Sequence, residues 1–210
     1  MARTDCAPKE FWDAKHSMDY PGLFQPTELA IKALPLFSKN PGSAILEIGC
    51  GRSGDALFFA RRGFAVMAID ISRVALKEMQ NERYEIKTIC LVQSNISQGL
   101  PFSDNSFDAI YSRLSLHYFQ DAETKNIFGE IRRVLRVSGF FVMSVKSVEV
   151  GSDEWNFPEV SKNNQHPRHF FTVDYAKSLV VDFCQSHVVS SRIVSGDNHD
   201  RKTIEVFATK

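Results

Sequence analysis

Five times along this chain a short apolar run is followed by a stretch with helical spacing, and that alternation narrows the fold more than any other feature. The runs are 43–48 (SAILEI), 64–70 (FAVMAID), 88–94 (TICLVQS), 107–112 (FDAIYS) and 139–147 (GFFVMSVKS). Between and around them, residues 26–38 open on Pro26 and Thr27 and place Leu29, Ile31, Leu34 and Phe37 at near-helical intervals. DALFFARRG predicts a helix that stops at Gly63. ISRVALKEMQNERY predicts another, with Ser72 as its cap and Val74, Leu76 and Met79 inward. ETKNIFGEIRRVLR carries an apolar stripe of Ile127, Ile131, Val134 and Leu135, with Asp121 as the expected cap. TVDYAKSLVVDF is a further helix, capped by Thr172. The last two segments, HVVSSRIVS and RKTIEVFATK, alternate like strands and meet at the turn-rich GDNHD. Strand–helix alternation implies a parallel sheet with helices on both faces, and the closing strand pair adds an antiparallel strand at one edge. The expectation is a doubly wound α/β fold on a seven-stranded, mostly parallel sheet. Residues 1–210 form one domain in this reading, with 1–25 as a lid or N-terminal extension.

Charge and cysteine content remove several function classes. Lys+Arg and Asp+Glu balance at 25 each, and the basic residues form no run beyond the pairs Arg61-Arg62 and Arg132-Arg133. A nucleic-acid partner is therefore not expected. No apolar run approaches membrane-spanning length, so no membrane partner is expected either. Cys6, Cys50, Cys90 and Cys184 form no C-x-x-C pair, and Cys50 and Cys90 lie in apolar runs as small buried hydrophobes would. The opening MARTDCAPKEFWDAKH lacks an apolar signal core, which points to the cytoplasm.

Chemistry enters at the end of the first strand, in Glu47-Ile48-Gly49-Cys50-Gly51-Arg52-Ser53-Gly54. The loop contains G-x-G-x-x-G, and the second strand ends on an acid, Asp70. Glycines there let a backbone approach a ligand, and an acid at the next strand end accepts from ribose hydroxyls. Taken alone, the loop also fits a tight strand-to-helix turn with no ligand. Glu47 separates two cofactors. A carboxylate two residues before the first glycine repels a pyrophosphate, whereas a sulfonium bearing an ammonium group suits it. A Tyr-x-x-x-Lys after the fourth strand, which a short-chain reductase would need, is missing.

With these residues in view, the chain resembles the class I methyltransferases from about Phe11 to its end. ILEIGCGRSGDALFFARRGFAVMAIDIS matches that family's first two motifs in order and spacing, LPFSDNSFDAIYSRLSLHYF the passage through the fourth strand, and IRRVLRVSGFFVMSV the helix and strand that follow. SLHYF and RHFFTVDYAKSL are similar to tellurite-resistance and thiopurine-type members acting on small molecules. The resemblance implies S-adenosylmethionine as cofactor and no metal. It also implies roles. Asp70 would hold the ribose. Gly49 and Gly51 would lie against the methionine half, with Ser53 where the family has its third glycine. Glu47 would order the loop and the cofactor's amino group. Ile71 and Ile96 would flank adenine, and Asn95, where the family often has an acid, would meet its edge. Arg113 would contribute its backbone near the methionine ammonium. His117 and Tyr118 would face the acceptor, as catalytic or as packing residues. Ile71 and Ile96 also fit apolar filling, and Asn95 a loop cap. His166 and His169, in H-P-R-H, lack nearby carboxylate partners for a metal. Trp12, Tyr20, Phe24, Trp155 and Phe157 fit either a lid or satellites of the core.

The expected activity is methyl transfer to a small-molecule acceptor. A protein-lysine or N-terminal methyltransferase on the same fold is the alternative, distinguished by an open acidic groove in place of a covered pocket. A non-catalytic partner retaining the fold is disfavoured by the intact Gly49, Gly51 and Asp70.

Overall fold

Burial on both faces makes parallel strands of the five apolar runs. They become β1 (Ala44–Ile48), β2 (Ala65–Asp70), β3 (Ile89–Gln93), β4 (Phe107–Arg113) and β5 (Leu135–Lys146), joined by β6 (Gln185–Val194) and β7 (Asp200–Thr209) in one seven-stranded sheet of order β3-β2-β1-β4-β5-β7-β6. This is a computed structural model, and it describes residues 9–18, 25–37, 42–52, 54–82, 86–148, 169–194 and 200–210. β1 pairs in parallel with β2 and β4, β2 with β3, and β4 with β5. β7 runs antiparallel to both β5 and β6, which puts the closing hairpin at one edge of the sheet.

Around the sheet lie α1 (Lys9–Ser17), α2 (Glu28–Ala33), α3 (Gly54–Ala60), α4 (Arg73–Glu82), α5 (Asp121–Val134) and α6 (Val173–Leu179). The period-two alternation of each strand feeds two cores. Leu46, Ile48, Ile110 and Met143 pack with Ile127 and Ile131 of α5 and Ala176 of α6. Ile45, Ala68, Ala109 and Val142 pack with Ala30 of α2, Phe59 of α3 and Met79 of α4. The strand order reverses between β1 and β4. Their carboxyl ends diverge there, and a doubly wound sheet binds its ligand in that crevice.

Several boundaries differ from the sequence expectation for identifiable reasons. The helix expected over 26–38 is short, because Leu34 to Phe37 continue as turns. Asp121 is not the cap of α5. Gln120 occupies that position, its N–H donates to Glu123 Oε2 at 3.3 Å, and Asp121 instead accepts from Lys125 Nζ and Tyr175 Oη. The helix stops at Val134, and Leu135 already pairs with Phe107. A tight turn follows, with Ser138 at φ 62° and Gly139 so close to Arg136 O and Asp108 O that a Cβ would strike both. Cys50 is buried, but Cys90 is exposed, because β3 is an edge strand covered less completely than its neighbours. Ser72 and Thr172 do cap α4 and α6, accepting from Ala75 N and Tyr175 N. Helix α1 lies where the sequence pattern gave only an aromatic extension. Among the described residues no helix is long and apolar enough to cross a membrane.

Candidate active site

Four parallel strands bring their carboxyl ends to one place, and each delivers residues there. β1 runs into Gly49-Cys50-Gly51. Gly49 N and Cys50 N both donate to Ile69 O, at 2.8 and 3.1 Å, which folds the loop onto β2. Gly49 and Gly51 adopt φ of +67° and +52°, the left-handed region that favours glycine. A Cβ at Gly49 would overlap the Ser115 side chain, and one at Gly51 would stand 3.3 Å from His16 Cε1. Conformation favours glycine at both positions, and at Gly49 the close approach of Ser115 requires it as well. Ser53 lies outside the described residues.

Asp70 terminates β2 and is buried. Its Oδ2 accepts from Gly51 N at 2.7 Å and its Oδ1 from Ser72 N at 2.8 Å. The ribose candidate therefore also welds the glycine loop to the start of α4. Each carboxylate oxygen accepts more than one hydrogen bond, so these contacts leave acceptor capacity for hydroxyls. Burial pushes the Asp70 carboxyl above its ordinary range, opposed by the N–H groups of Ser72, Gly51 and Ile71, with the nearby Asp13 charge adding to the rise.

Glu47, 3% exposed, sits on β1 in register with Ala68 and Tyr111. Beside it lies a buried polar group that sequence reasoning missed. Thr27 donates to Asp55 through N and Oγ1, at 2.7 and 2.8 Å, and Tyr111 Oη donates to Asp55 Oδ2 at 2.7 Å. Burial, reinforced by the Asp55 and Glu47 charges, drives the Tyr111 hydroxyl well above its ordinary pKa. The group ties the N-termini of α2 and α3 to β4 just behind the loop. Its signal in the sequence was Asp55, an acid in the first turn of a helix that opens directly from the glycines.

From β3 the chain reaches Asn95, whose Oδ1 accepts from Ser97 N at 3.1 Å and caps the 3₁₀ turn Ile96–Gln98. Ile96 joins the core on the α5 face, whereas Ile71 is half-buried beside Asp70. From β4, Arg113 pairs with Ser144, and Leu114 turns at φ 52° with its N–H on Ser144 O. A leucine in the left-handed region is strained. The turn throws Ser115 against Gly49 and leads into the 3₁₀ turn Leu116–Tyr118. His117 is fully buried, its ring 4.3 Å from that of Tyr118, and His117 O accepts from His169 N. His169 is buried against Phe171 and Tyr175. His166, Tyr20, Phe24, Trp155 and Phe157 lie outside the described residues.

Helix α1 crosses this end of the sheet. Trp12 meets Tyr118 edge-on at 4.6 Å, with Lys15 Nζ 4.8 Å from the Trp12 ring centre. Asp13 Oδ1 accepts from Ser72 Oγ at 2.8 Å and Val74 N at 3.2 Å, and Asp13 pairs with Lys9. Arg52 donates to His16 O and Met18 O and pairs with Glu78 of α4. Burial raises the Asp13 carboxyl, but Lys9, Ser72 and Val74 outweigh this and hold it down at about 2. Burial, then the Arg52 and Lys15 charges, lowers His16 to about 4, against a small opposing pull from Asp13. A histidine depressed on docking contributes no penalty above its ordinary pKa, and docking weakens as pH falls from about 6.5 toward 4. Asp13 weakens docking only below its ordinary 3.8. In a Trp155→Phe background, which leaves Trp12 as the sole tryptophan, Trp12 emission is expected to report release of α1 between pH 6.5 and 4. His16→Gln should flatten that transition, and an unchanged transition in His16→Gln would refute the assignment.

The residues present fit S-adenosylmethionine. Two loop positions without side chains would leave backbone open to a methionine half, Asp70 at the end of β2 has acceptor capacity for ribose hydroxyls, and buried Glu47 suits a cationic rather than a pyrophosphate ligand. Residues 46–143 match the family model described as methyltransferase domain. A fatty-acid O-methyltransferase of Mycolicibacterium smegmatis is 30% identical over 116 residues, covering 54% of this chain and 41% of that protein. Among solved structures, a SAM-dependent methyltransferase from Aquifex aeolicus superposes with TM-score 0.64 at 17% identity, covering 94% of this chain and 97% of the other. Phosphoethanolamine N-methyltransferase 2 of Haemonchus contortus superposes with TM-score 0.74 at 17% identity, over 96% of this chain and 57% of the other. The chain spans less than half the length of the curated relatives it matches. Over residues 46–143 the chain matches a methyltransferase domain, and its fold is that of the solved methyltransferases on which it superposes.

Proposed function

We propose that this chain transfers a methyl group from S-adenosylmethionine to a small-molecule acceptor. The observation that carries the reading is a covered crevice: the ends of β1, β2 and β4 converge on Gly49, Gly51, Asp70 and Tyr118, and α1 lies across them. A peptide acceptor would need that end open. The small-molecule chemistry of relatives such as the fatty-acid O-methyltransferase supports the same reading. So do SLHYF and RHFFTVDYAKSL, on which we place the chain nearest the tellurite-resistance and thiopurine-type members. A reducing cytoplasm suits the exposed free thiols Cys90 and Cys184.

The bound cofactor supplies a methyl already electrophilic on its sulfonium. What the protein contributes is placement. Asp70 holds the ribose, the Gly49–Gly51 backbone and Glu47 hold the methionine end, and Asn95, Ile71 and Ile96 border the adenine. The Arg113 backbone passes the methionine ammonium on its way to the acceptor side. Trp12 over Tyr118 excludes water there, so an acceptor held in line reacts without competing solvation. His117 and Tyr118 are the groups placed to orient the acceptor or take its proton.

Methyl-labelled S-adenosylmethionine incubated with a size-fractionated cell extract tests the reading. Label is expected in the low-mass fraction; label confined to protein would overturn the small-acceptor assignment. With the acceptor so isolated, single-turnover transfer by Tyr118→Phe and His117→Ala is expected to fall about 10-fold or more, while affinity for S-adenosylhomocysteine stays within roughly 3-fold. Parent-like transfer by both variants would leave positioning and desolvation as the whole mechanism.

A further inference from the structure

The contacts of α1 close a ring that neither the glycine loop nor Asp70 explains alone. Starting on α1, Asp13 Oδ1 accepts from Ser72 Oγ. Ser72 N donates to Asp70 Oδ1, and Asp70 Oδ2 accepts from Gly51 N. The next residue, Arg52, donates to His16 O and Met18 O, back at the C-terminal end of α1. Arg52 also grips Glu78 on α4, the helix whose first turn Asp13 caps at Val74 N. With α1 in place Ser72 is fully buried, so truncating Asp13 under the docked helix leaves the Ser72 hydroxyl without this acceptor. Two α1 contacts, one at the middle of the helix and one at its C-terminal end, thus converge on the two residues that would define the cofactor's ribose and methionine positions.

We propose that α1 is a strap whose docking is thermodynamically coupled to cofactor binding, with Asp13 and Arg52 as positioning residues that act through Ser72–Asp70 and through the glycine loop. The proposal rests on the cofactor reading above. Docked, the strap fixes the Asp70 carboxylate between Ser72 N and Gly51 N before any ligand arrives. Undocked, Ser72 loses its hydroxyl partner, Arg52 loses the two α1 carbonyls that hold it across the loop, and the loop and acid must be ordered at the cofactor's expense. A ligand that orders the same elements must in turn favour the docked strap, because coupling between two equilibria is reciprocal. The chemistry of Asp13 gives the test its resolution. Its Oδ1 is used purely as an acceptor toward α4, which an asparagine oxygen reproduces and an alanine does not.

Calorimetric titration with S-adenosylhomocysteine is run on the parent, Asp13→Asn, Asp13→Ala, Arg52→Ala and the Asp13→Ala/Arg52→Ala pair, with ligand-free melting recorded for each. Asp13→Ala and Arg52→Ala are each expected to weaken binding about 10-fold, and Asp13→Asn to stay within about 3-fold of the parent. The double variant should bind like either single variant, since losing either contact already releases the strap; residues acting independently would give about a 100-fold loss. In the Trp155→Phe background, the ligand should shift Trp12 emission toward the buried value in the largely undocked Asp13→Ala. Parent binding matched by both alanine variants, multiplicative losses, or no ligand-induced Trp12 shift would overturn the coupling alone. No binding by the parent would overturn the cofactor reading, and the coupling with it.

Discussion

Replacing Asp70 with alanine is expected to weaken binding of S-adenosylhomocysteine by at least about 100-fold. Two charge-assisted hydrogen bonds to ribose hydroxyls contribute roughly 1.5–3 kcal/mol each, and some of that is recovered by water. The loss extends beyond the ligand, because Asp70 also holds Gly51 N and Ser72 N. Acid and cofactor affinity are linked with a definite sign. The folded-state pKa of Asp70 is raised by burial, so its contribution to folding is fully present below the ordinary value of 3.8 and is lost as pH rises through the raised one. Ribose binding uses the ionised form, so affinity should rise over the same interval. The parent should therefore gain affinity while losing part of its stability across this window, and Asp70→Ala should show neither trend. Calorimetry and thermal melting at a series of pH values check both. Parent-like affinity in a folded Asp70→Ala would remove this residue from the site.

Gly49→Ala should be the most damaging small substitution in the loop. The position combines φ of +67° with a Ser115 side chain standing where a Cβ would go. Left-handed backbone costs a non-glycine residue about 1 kcal/mol, and an overlap that displaces neighbours costs roughly 1–3 kcal/mol more. Ser115 cannot retreat easily, since it is held by the strained turn at Leu114. Stability is expected to fall by about 2–4 kcal/mol, with loss of measurable cofactor binding. The double variant Gly49→Ala/Ser115→Gly removes the overlap and leaves only the backbone cost, so it should recover more than half of the stability. Equal melting temperatures for the single and double variants would show that the approach of Ser115 does not govern this glycine.

How much of this was legible depended on whether the determining interactions are local. Strand runs such as FAVMAID and the stripe Ile127, Ile131, Val134 carry their own periodicity, and the sheet followed from them. That Gly49, Gly51 and Asp70 come together was legible because they end strands that a parallel sheet must bring to one end. Cys90 was misjudged because an apolar run does not say whether its strand lies at an edge. Asn95 and Ile96 read equally well as ligand contacts or as cap and core, and their contacts within the protein are indeed a cap and core packing. The bonds of Asp55 to Thr27 and Tyr111, and of Asp13 to Ser72, join residues 28 to 59 positions apart, and no local pattern announces them. Helix α1 was invisible for a related reason. None of its residues is fully buried, so KEFWDAKHS carries no inward stripe, and what holds it is polar contact with the loop and α4 together with the edge-on packing of Trp12 on Tyr118.

Which cofactor the loop accepts decides the roles of Glu47, Gly49, Gly51 and Asp70 together. Calorimetric titration of the parent with S-adenosylhomocysteine and, separately, with NADH and NADPH at pH 7.5 tests this directly. Saturable one-to-one binding of S-adenosylhomocysteine, abolished or reduced at least about 100-fold in Asp70→Ala, with no heat from either nicotinamide, is the expected result. Nicotinamide binding, or a parent protein indifferent to S-adenosylhomocysteine, would contradict the assignment of Glu47, the Gly49–Gly51 loop and Asp70 to a sulfonium cofactor.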